Sequence, residues 1–362
     1  MMKLVKNLAL ALLVLGAIFG PAFAQTKFSA HGYLTQAFAI SDGNQYFGIP
    51  SDGTTDYRKL ALQFRYDLDP HNNIVIQFSH LRLGRSSLND AVNPIELDWA
   101  FAEHRFSESL ALKFGRVLLP LGIYNEIRDV GTLLPFYSPC MNVYGDVAWT
   151  NETVDGILIR KIFAADSPWN LKAELYFGHW TRFEYDLSMR YQKAEIDNGL
   201  GMQLWLNTPV QGLRFGVAGN RQRVTGGLYG NNKFYDELFL LSFEGNFERF
   251  SLHSEYMEVR RTASKRRVYY GYAGLNLSHS LSLHAEADFV NVLAEHFLIG
   301  KINDQWNTDY MLGINYRFHP NFVAKLEGHY NRGFFIEGQA VNPFVDDKYE
   351  TLYSIASLSA SF

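Results

Sequence analysis

The sequence predicts an all-β protein: a transmembrane antiparallel β-barrel of about sixteen strands. Three observations predict it. Apolar and polar residues alternate with period two along most of the chain, which puts successive side chains on opposite faces of a strand. The connections between these runs are short and long by turns, as in barrels with tight turns at one end and long loops at the other. Finally, a hydrophobic content of 47% coexists with a mean hydropathy of −0.13. That balance suits strands apolar on one face only, and no segment after the N-terminus has the roughly 18 apolar residues of a spanning helix.

The N-terminus comes first. Lys3 and Lys6 precede an apolar run, Leu8 to Phe19, and Ala22-Phe23-Ala24 supplies a small-x-small cleavage site. Residues 1–24 are expected to be a secretory signal peptide, and residues 25–362 a single barrel domain. Gln25 rather than Cys follows the cut, so no lipid anchor is expected there.

The first strand is expected over Phe28 to Ile40. The clearest alternation is Leu60, Leu62, Phe64 and Tyr66 against Lys59, Ala61, Gln63, Arg65 and Asp67. A tight turn at Asp69-Pro70-His71-Asn72 returns the chain through Ile74, Ile76 and Phe78, forming a hairpin. Leu97, Trp99 and Phe101 read as the apolar face of the next strand, and Phe114 as that of the one after. Further hairpins follow, with short turns near Ser107, Asp166, Thr208, Gly245, His279 and Pro320. Long connections are expected at 41–56, 83–94, 117–150, 181–197, 225–234, 260–267, 293–307 and 333–348. The last strand ends on Phe362, with Ala360, Leu358 and Ala356 on the same face.

The stretch Arg116 to Thr150 departs from the pattern. Pro120, Pro135, Pro139, Gly122, Gly131 and Gly145 break strands and helices. A long irregular insertion in a compact protein is functional or disordered, and its Leu, Ile, Tyr and Phe content argues against disorder. It is expected to fold into the lumen and narrow it.

The signal peptide, the terminal Phe362 and the third long connection together resemble a Gram-negative outer-membrane porin of the sixteen-stranded type. The string Lys113-Phe114-Gly115-Arg116 into Leu119-Pro120-Leu121-Gly122-Ile123-Tyr124-Asn125-Glu126 resembles porin-like proteins grouped near the phosphate-selective ones. The resemblance implies an outer-membrane location, short periplasmic turns, long external loops, a homotrimer, and passive diffusion of small hydrophilic solutes and ions. An anion-selective pore of the phosphate type is the alternative, although no run of lysines supports it.

The resemblance also implies charges on the constriction loop set against charges on the wall. The loop candidates are Arg116, Glu126, Arg128, Asp129 and Asp146. The wall candidates are Lys59, Arg65, Lys113, Lys172, Arg214, Glu286, Arg317 and Lys325. Opposed charges in a narrow lumen create a transverse field. Strict parity from Phe114 sends Arg116 toward lipid; a bulge at Gly115 would turn it inward, and inward is the expectation. Arg260, Arg261, Lys265, Arg266 and Arg267 read as an external loop that contacts lipopolysaccharide phosphates or solvent.

Other function classes fit less well. The net charge of −4, or −6 without Lys3 and Lys6, leaves no footprint for nucleic acid. The single cysteine, Cys140, excludes an intrachain disulfide. An outer-membrane lipid hydrolase would need a serine and histidine pair; His80 lies near Ser86 and Ser87, and His253 near Ser251 and Ser254. No Gly-x-Ser-x-Gly occurs, and His, Asp and Glu lack metal-ligand spacing. Neither catalysis nor a cofactor or metal is expected. A non-conducting surface-binding barrel is the remaining class, and a count near sixteen strands argues for an aqueous channel instead.

Overall fold

The computed structural model describes residues 27–145, 150–185, 191–226, 232–262, 264–296, 300–334 and 347–362. The expected signal peptide and Asp146 lie outside the described residues.

Sixteen antiparallel strands form one closed barrel. They are β1 Phe28–Ser41, β2 Thr54–Asp67, β3 Asn72–Leu83, β4 Glu96–Ser107, β5 Leu110–Leu118, β6 Thr153–Phe163, β7 Asn170–Tyr185, β8 Tyr191–Asn207, β9 Leu213–Gly226, β10 Phe234–Asn246, β11 Phe250–Arg261, β12 Ser264–Asn276, β13 Leu281–His296, β14 Gly300–His319, β15 Phe322–Gly333 and β16 Tyr349–Ser361. Each strand pairs with its sequence neighbour, and β1 closes the ring on β16 from Tyr33↔Ser361 to Ser41↔Tyr353. Closure removes the sheet edge, which hydrocarbon could not satisfy.

The period of two decides what each face meets. The outer face carries exposed Leu, Ile and Phe along nearly every strand, among them Phe78, Ile157, Leu241 and Leu312. Outward aromatics gather at the ends. Phe106, Phe163, Trp169, Phe250, Phe318 and Phe322 lie beside the short turns, and Tyr235, Tyr269 and Tyr310 lie toward the long connections. This is the girdle arrangement of a membrane barrel.

Several strands run further than alternation indicates. The connection expected at 260–267 shrinks to 262–263, because Arg261 pairs with Ser264 in a continuous ladder. The one expected at 293–307 shrinks likewise, with β13 pairing β14 out to His296↔Gly300. The β11 and β12 tips are polar on both faces, so the apolar signal stops there while the backbone ladder continues.

β4 also departs from expectation. Gln77 pairs with Trp99 but Phe78 pairs with Leu97, a register shift of one residue. The bulge switches faces. Leu97 stays outward, whereas Trp99 and Phe101 turn into the barrel and become buried.

Candidate pore constriction

The described residues of the connection between β5 and β6, 119–145 and 150–152, cross the interior of the barrel. Among the described residues its backbone is irregular, with one short 3-10 turn at Asn125–Ile127 and one helical turn at Met141–Tyr144. The reason it sits inside is chemical. Leu119, Leu121, Ile123, Tyr124, Leu134, Phe136, Val143 and Tyr144 are all buried, packed with Trp99, Phe101, Tyr176, Trp180, Trp205, Leu240 and Met257 of the wall. Burying this apolar area favours the inward position by roughly 25 cal/mol per Å². The lumen is therefore largely filled on the β5–β12 side, rather than uniformly polar.

Polar anchors fix the position. Glu255 of β11 accepts the Ile123 N–H at 3.0 Å, the Ser242 hydroxyl at 2.5 Å, the Tyr270 hydroxyl at 2.9 Å and the Tyr144 hydroxyl. Gly122, at φ +62, permits this approach: a Cβ there would lie 2.5 Å from Glu255 Oε1. Asn125, fully buried, donates to Leu119 O at 2.9 Å and Asn151 O at 3.2 Å, tying the two ends of the connection together. On the opposite wall, Lys325 donates to Leu134 O and Phe136 O at 2.8 and 2.7 Å. Glu327 accepts the Tyr137 N–H at 2.8 Å, and Asn315 donates to Pro135 O at 2.9 Å. The segment is thus held at β11 and again at β14 and β15.

What remains beside it is a cavity of about 330 Å³ along β2 to β7. Its charged lining is Lys59, Asp98, Arg128, Asp129 and Glu152, together with Glu96, Arg116, Asp155 and Lys193 at its border. Lys59 Nζ lies 3.0 Å from Asp129 Oδ1, and Arg128 Nε lies 3.5 Å from Glu152 Oε2. Bases and acids in the lining are therefore ion-paired with one another. Burial alone would raise Asp129, but Lys59 and Arg128 outweigh it and hold the carboxyl below its ordinary value. Glu152 goes the other way: burial and then the charge of Asp98 push it well above the usual carboxylate range. A second cavity of about 220 Å³ lies toward the short turns, lined by Tyr124, His253, Tyr272, His284 and Arg317.

The remaining expected residues fall as follows. Glu126 lies 3.9 Å from Lys172, which also bonds Glu174 at 2.8 Å. Arg65 pairs with Asp67 at 2.8 Å, away from the connection. Lys113 stands 5.0 Å from the Phe101 ring centroid, and Arg214 pairs with Glu244 over the Trp205 ring. Arg317 donates to Thr132 O at 3.1 Å, anchoring the connection rather than lining open space. Glu286 is buried on β13.

Arg116 is a correction. It pairs in register with Asp155, on the same face as the exposed Ile157 and Ile159, and bonds Asp155 at 2.6 and 2.8 Å. Gly115 does take an unusual φ of +124, yet β5 has no register shift against either neighbour at that position. Without a bulge the parity holds, so Arg116 takes an outward position on β5, where its pair with Asp155 borders the cavity. The cluster expected in an external loop is corrected too. Arg261 and Arg266 point inward and are buried, while Arg260, Lys265 and Arg267 surround Glu258 outside at 2.6, 2.6 and 3.0 Å.

Asn125, Glu152, Asp98 and the anchoring role of Glu255 escaped the sequence reading. Alternation marks Glu255 as inward but carries no information about what meets it. The histidines considered for catalysis bond elsewhere. His80 contacts Arg58 and Pro94 O, and His253 contacts Tyr124 and Asn246.

No protein-family model matches the sequence, and no curated protein matches it. Solved structures do. The in-vitro folded trimer form of OmpT, an outer membrane protein of Vibrio cholerae, aligns with a TM-score of 0.59 at 12% identity, covering 92% of this chain and 99% of that one. Salmonella typhi OmpF, in complex with daunomycin, aligns at 0.58 and 11% identity over 93% and 98%. The fold is that of the outer-membrane porins. An anion-selective porin from Comamonas acidovorans aligns at 0.55 and 11% identity over 92% and 99%. At these identities the porin fold is what is shared, and the slot must be read from this chain's own residues.

Proposed function

We propose that the protein is an outer-membrane channel for passive diffusion of small hydrophilic solutes and ions, not an enzyme. The observation that carries this reading is the lumenal connection, described over 119–145 and 150–152, pinned to both walls and leaving a charged slot of about 330 Å³. A barrel of this strand number encloses an aqueous path unless something fills it. Here the filler is anchored so that the charged side remains open. Among the charged groups lining the slot, Glu96, Asp98, Asp129, Glu152 and Asp155 outnumber Lys59, Arg116, Arg128 and Lys193 by one, an excess that requires Glu152 to be ionised, so we infer a weak cation preference that grows with pH rather than a phosphate-type anion preference.

Two outer surfaces support the partners. Arg116–Asp155 and Arg82–Asp56, at 2.6 Å each, put ion pairs on the outside of β2 to β6. Charges there suit contact with another copy better than lipid, and one porin-fold neighbour is described as a trimer; a homotrimer through this face follows. Arg260, Lys265 and Arg267 set three cations against the one carboxylate of Glu258 on the outer tip of β11 and β12, which suits the phosphates of lipopolysaccharide.

The test is a planar bilayer under a salt gradient. Purified, folded protein should give stepwise conductance with a reversal potential of cation sign. Folded protein without conductance steps would overturn the channel, and a reversal potential of anion sign would overturn the cation preference.

A further inference from the structure

We propose that Cys140, Glu286 and Asp288 bind one divalent cation of the zinc class, bridging the lumenal connection to the barrel wall. Cys140 immediately precedes the helical turn Met141–Tyr144, while Glu286 and Asp288 lie on the inward face of β13. The sulfur and one carboxylate oxygen from each acid all lie within 4.8 Å of one another, and all three residues are buried. A cluster of this kind would not by itself make a site. Glu286 supplies the second observation: it is 4% exposed, yet neither carboxylate oxygen has a hydrogen-bond partner. Withdrawing a carboxylate from water without a partner is costly, and a cation would satisfy both oxygens at once.

The next strand adds to the imbalance. Asp309 of β14 stands directly opposite Asp288, is also buried, and leaves Oδ1 without a hydrogen bond. Like charges directly opposite one another destabilise a sheet unless a counter-charge intervenes. His329 Nδ1 lies 3.7 Å from that Asp309 oxygen and so flanks the group from β15.

The donor set selects the metal. Calcium and magnesium take oxygen ligands, whereas a thiolate with carboxylates suits zinc. On binding, the Cys140 S–H bond breaks, a metal–sulfur bond forms, and the proton passes to solvent; no electrons are transferred. Asn142, donating to Asp288 at 2.7 Å, orients that carboxylate from the connection's side. The ligands are 148 positions apart at their widest, so no local motif announces them. The metal would add a further attachment of the connection, at β13.

The experiment uses the folded full-length chain in detergent, equilibrated with zinc against a chromophoric chelator and, separately, with cadmium. We expect one zinc per chain, binding about tenfold or more weaker in Glu286→Gln, and a cadmium–thiolate charge-transfer band that Cys140→Ser lacks. Glu286→Gln is nearly isosteric, and heat-modified gel mobility checks that both variants fold. Absence of zinc binding by the folded wild type, or binding unchanged in both folded variants, would overturn the site. None of these readouts needs conductance, so failure here is distinct from failure of the channel.

Discussion

Glu255 shows how much can rest on one inward carboxylate. It takes hydrogen bonds from β10, β12 and the connection together. Removing it leaves several buried donors unsatisfied, at roughly 1–3 kcal/mol for a lost partner. We expect Glu255→Ala to lower unfolding stability in urea by that order and to make single-channel current noisier and larger. A variant with wild-type stability and current would show that the anchor is idle. Glu152 gives a pH prediction. Its carboxyl is raised by burial and Asp98, so it is neutral at pH values where an ordinary glutamate is charged. Raising the pH through that displaced value adds a negative charge to the slot, and cation preference should rise. Reversal potentials measured across pH should show this rise in the wild type and a flatter profile in Glu152→Gln; equal slopes would count against it.

At the scale of elements, alternation made most of the barrel legible. The turns near Asp69, Ser107, Asp166, Thr208, Gly245, His279 and Pro320 fall between the strands they were expected to join, because Pro, Gly, Asn and Ser there mark local backbone geometry. Two things were not legible. Polar strand tips such as Arg260 to Arg267 carry no apolar face, so the ladder beyond the bilayer is silent in sequence. The β4 bulge is equally silent, since Trp99 and Phe101 alternate as well facing inward as outward. Gly115 misled in the opposite direction: its φ of +124 is real, but the ladder on both sides stays in step. Because Arg116 and Asp155 hold outward positions of the ladder and form a neutral pair where they border the slot, we expect the double variant Arg116→Met with Asp155→Leu to leave single-channel conductance and selectivity unchanged. Arg128→Met should shift the reversal potential toward cations, because Arg128 stands on the lumenal connection against Asp129 and Glu152 and its removal uncovers their charge. A clear change in conductance from the Arg116 pair would return that residue to the lumen.

For the whole molecule, the barrel supplies rigidity and the connection supplies the restriction. The expectation that Arg116 to Thr150 folds inward rested on its breakers and its apolar content. The structure gives a physical reason for both. Pro and Gly free the segment from the ladder, and Leu, Ile, Tyr and Phe pack it against inward aromatics of β4, β7 and β8. Which side would be filled and which left open could not be read from sequence, because it depends on pairings between residues more than a hundred positions apart, such as Ile123 with Glu255. The central claim is that this packed segment limits the channel. Single-channel conductance of the wild type, compared with a variant lacking Ile123 to Val143, tests it most directly. The account predicts larger steps and weaker ion selectivity in the folded deletion variant. Equal conductance and equal selectivity in the two proteins would contradict it.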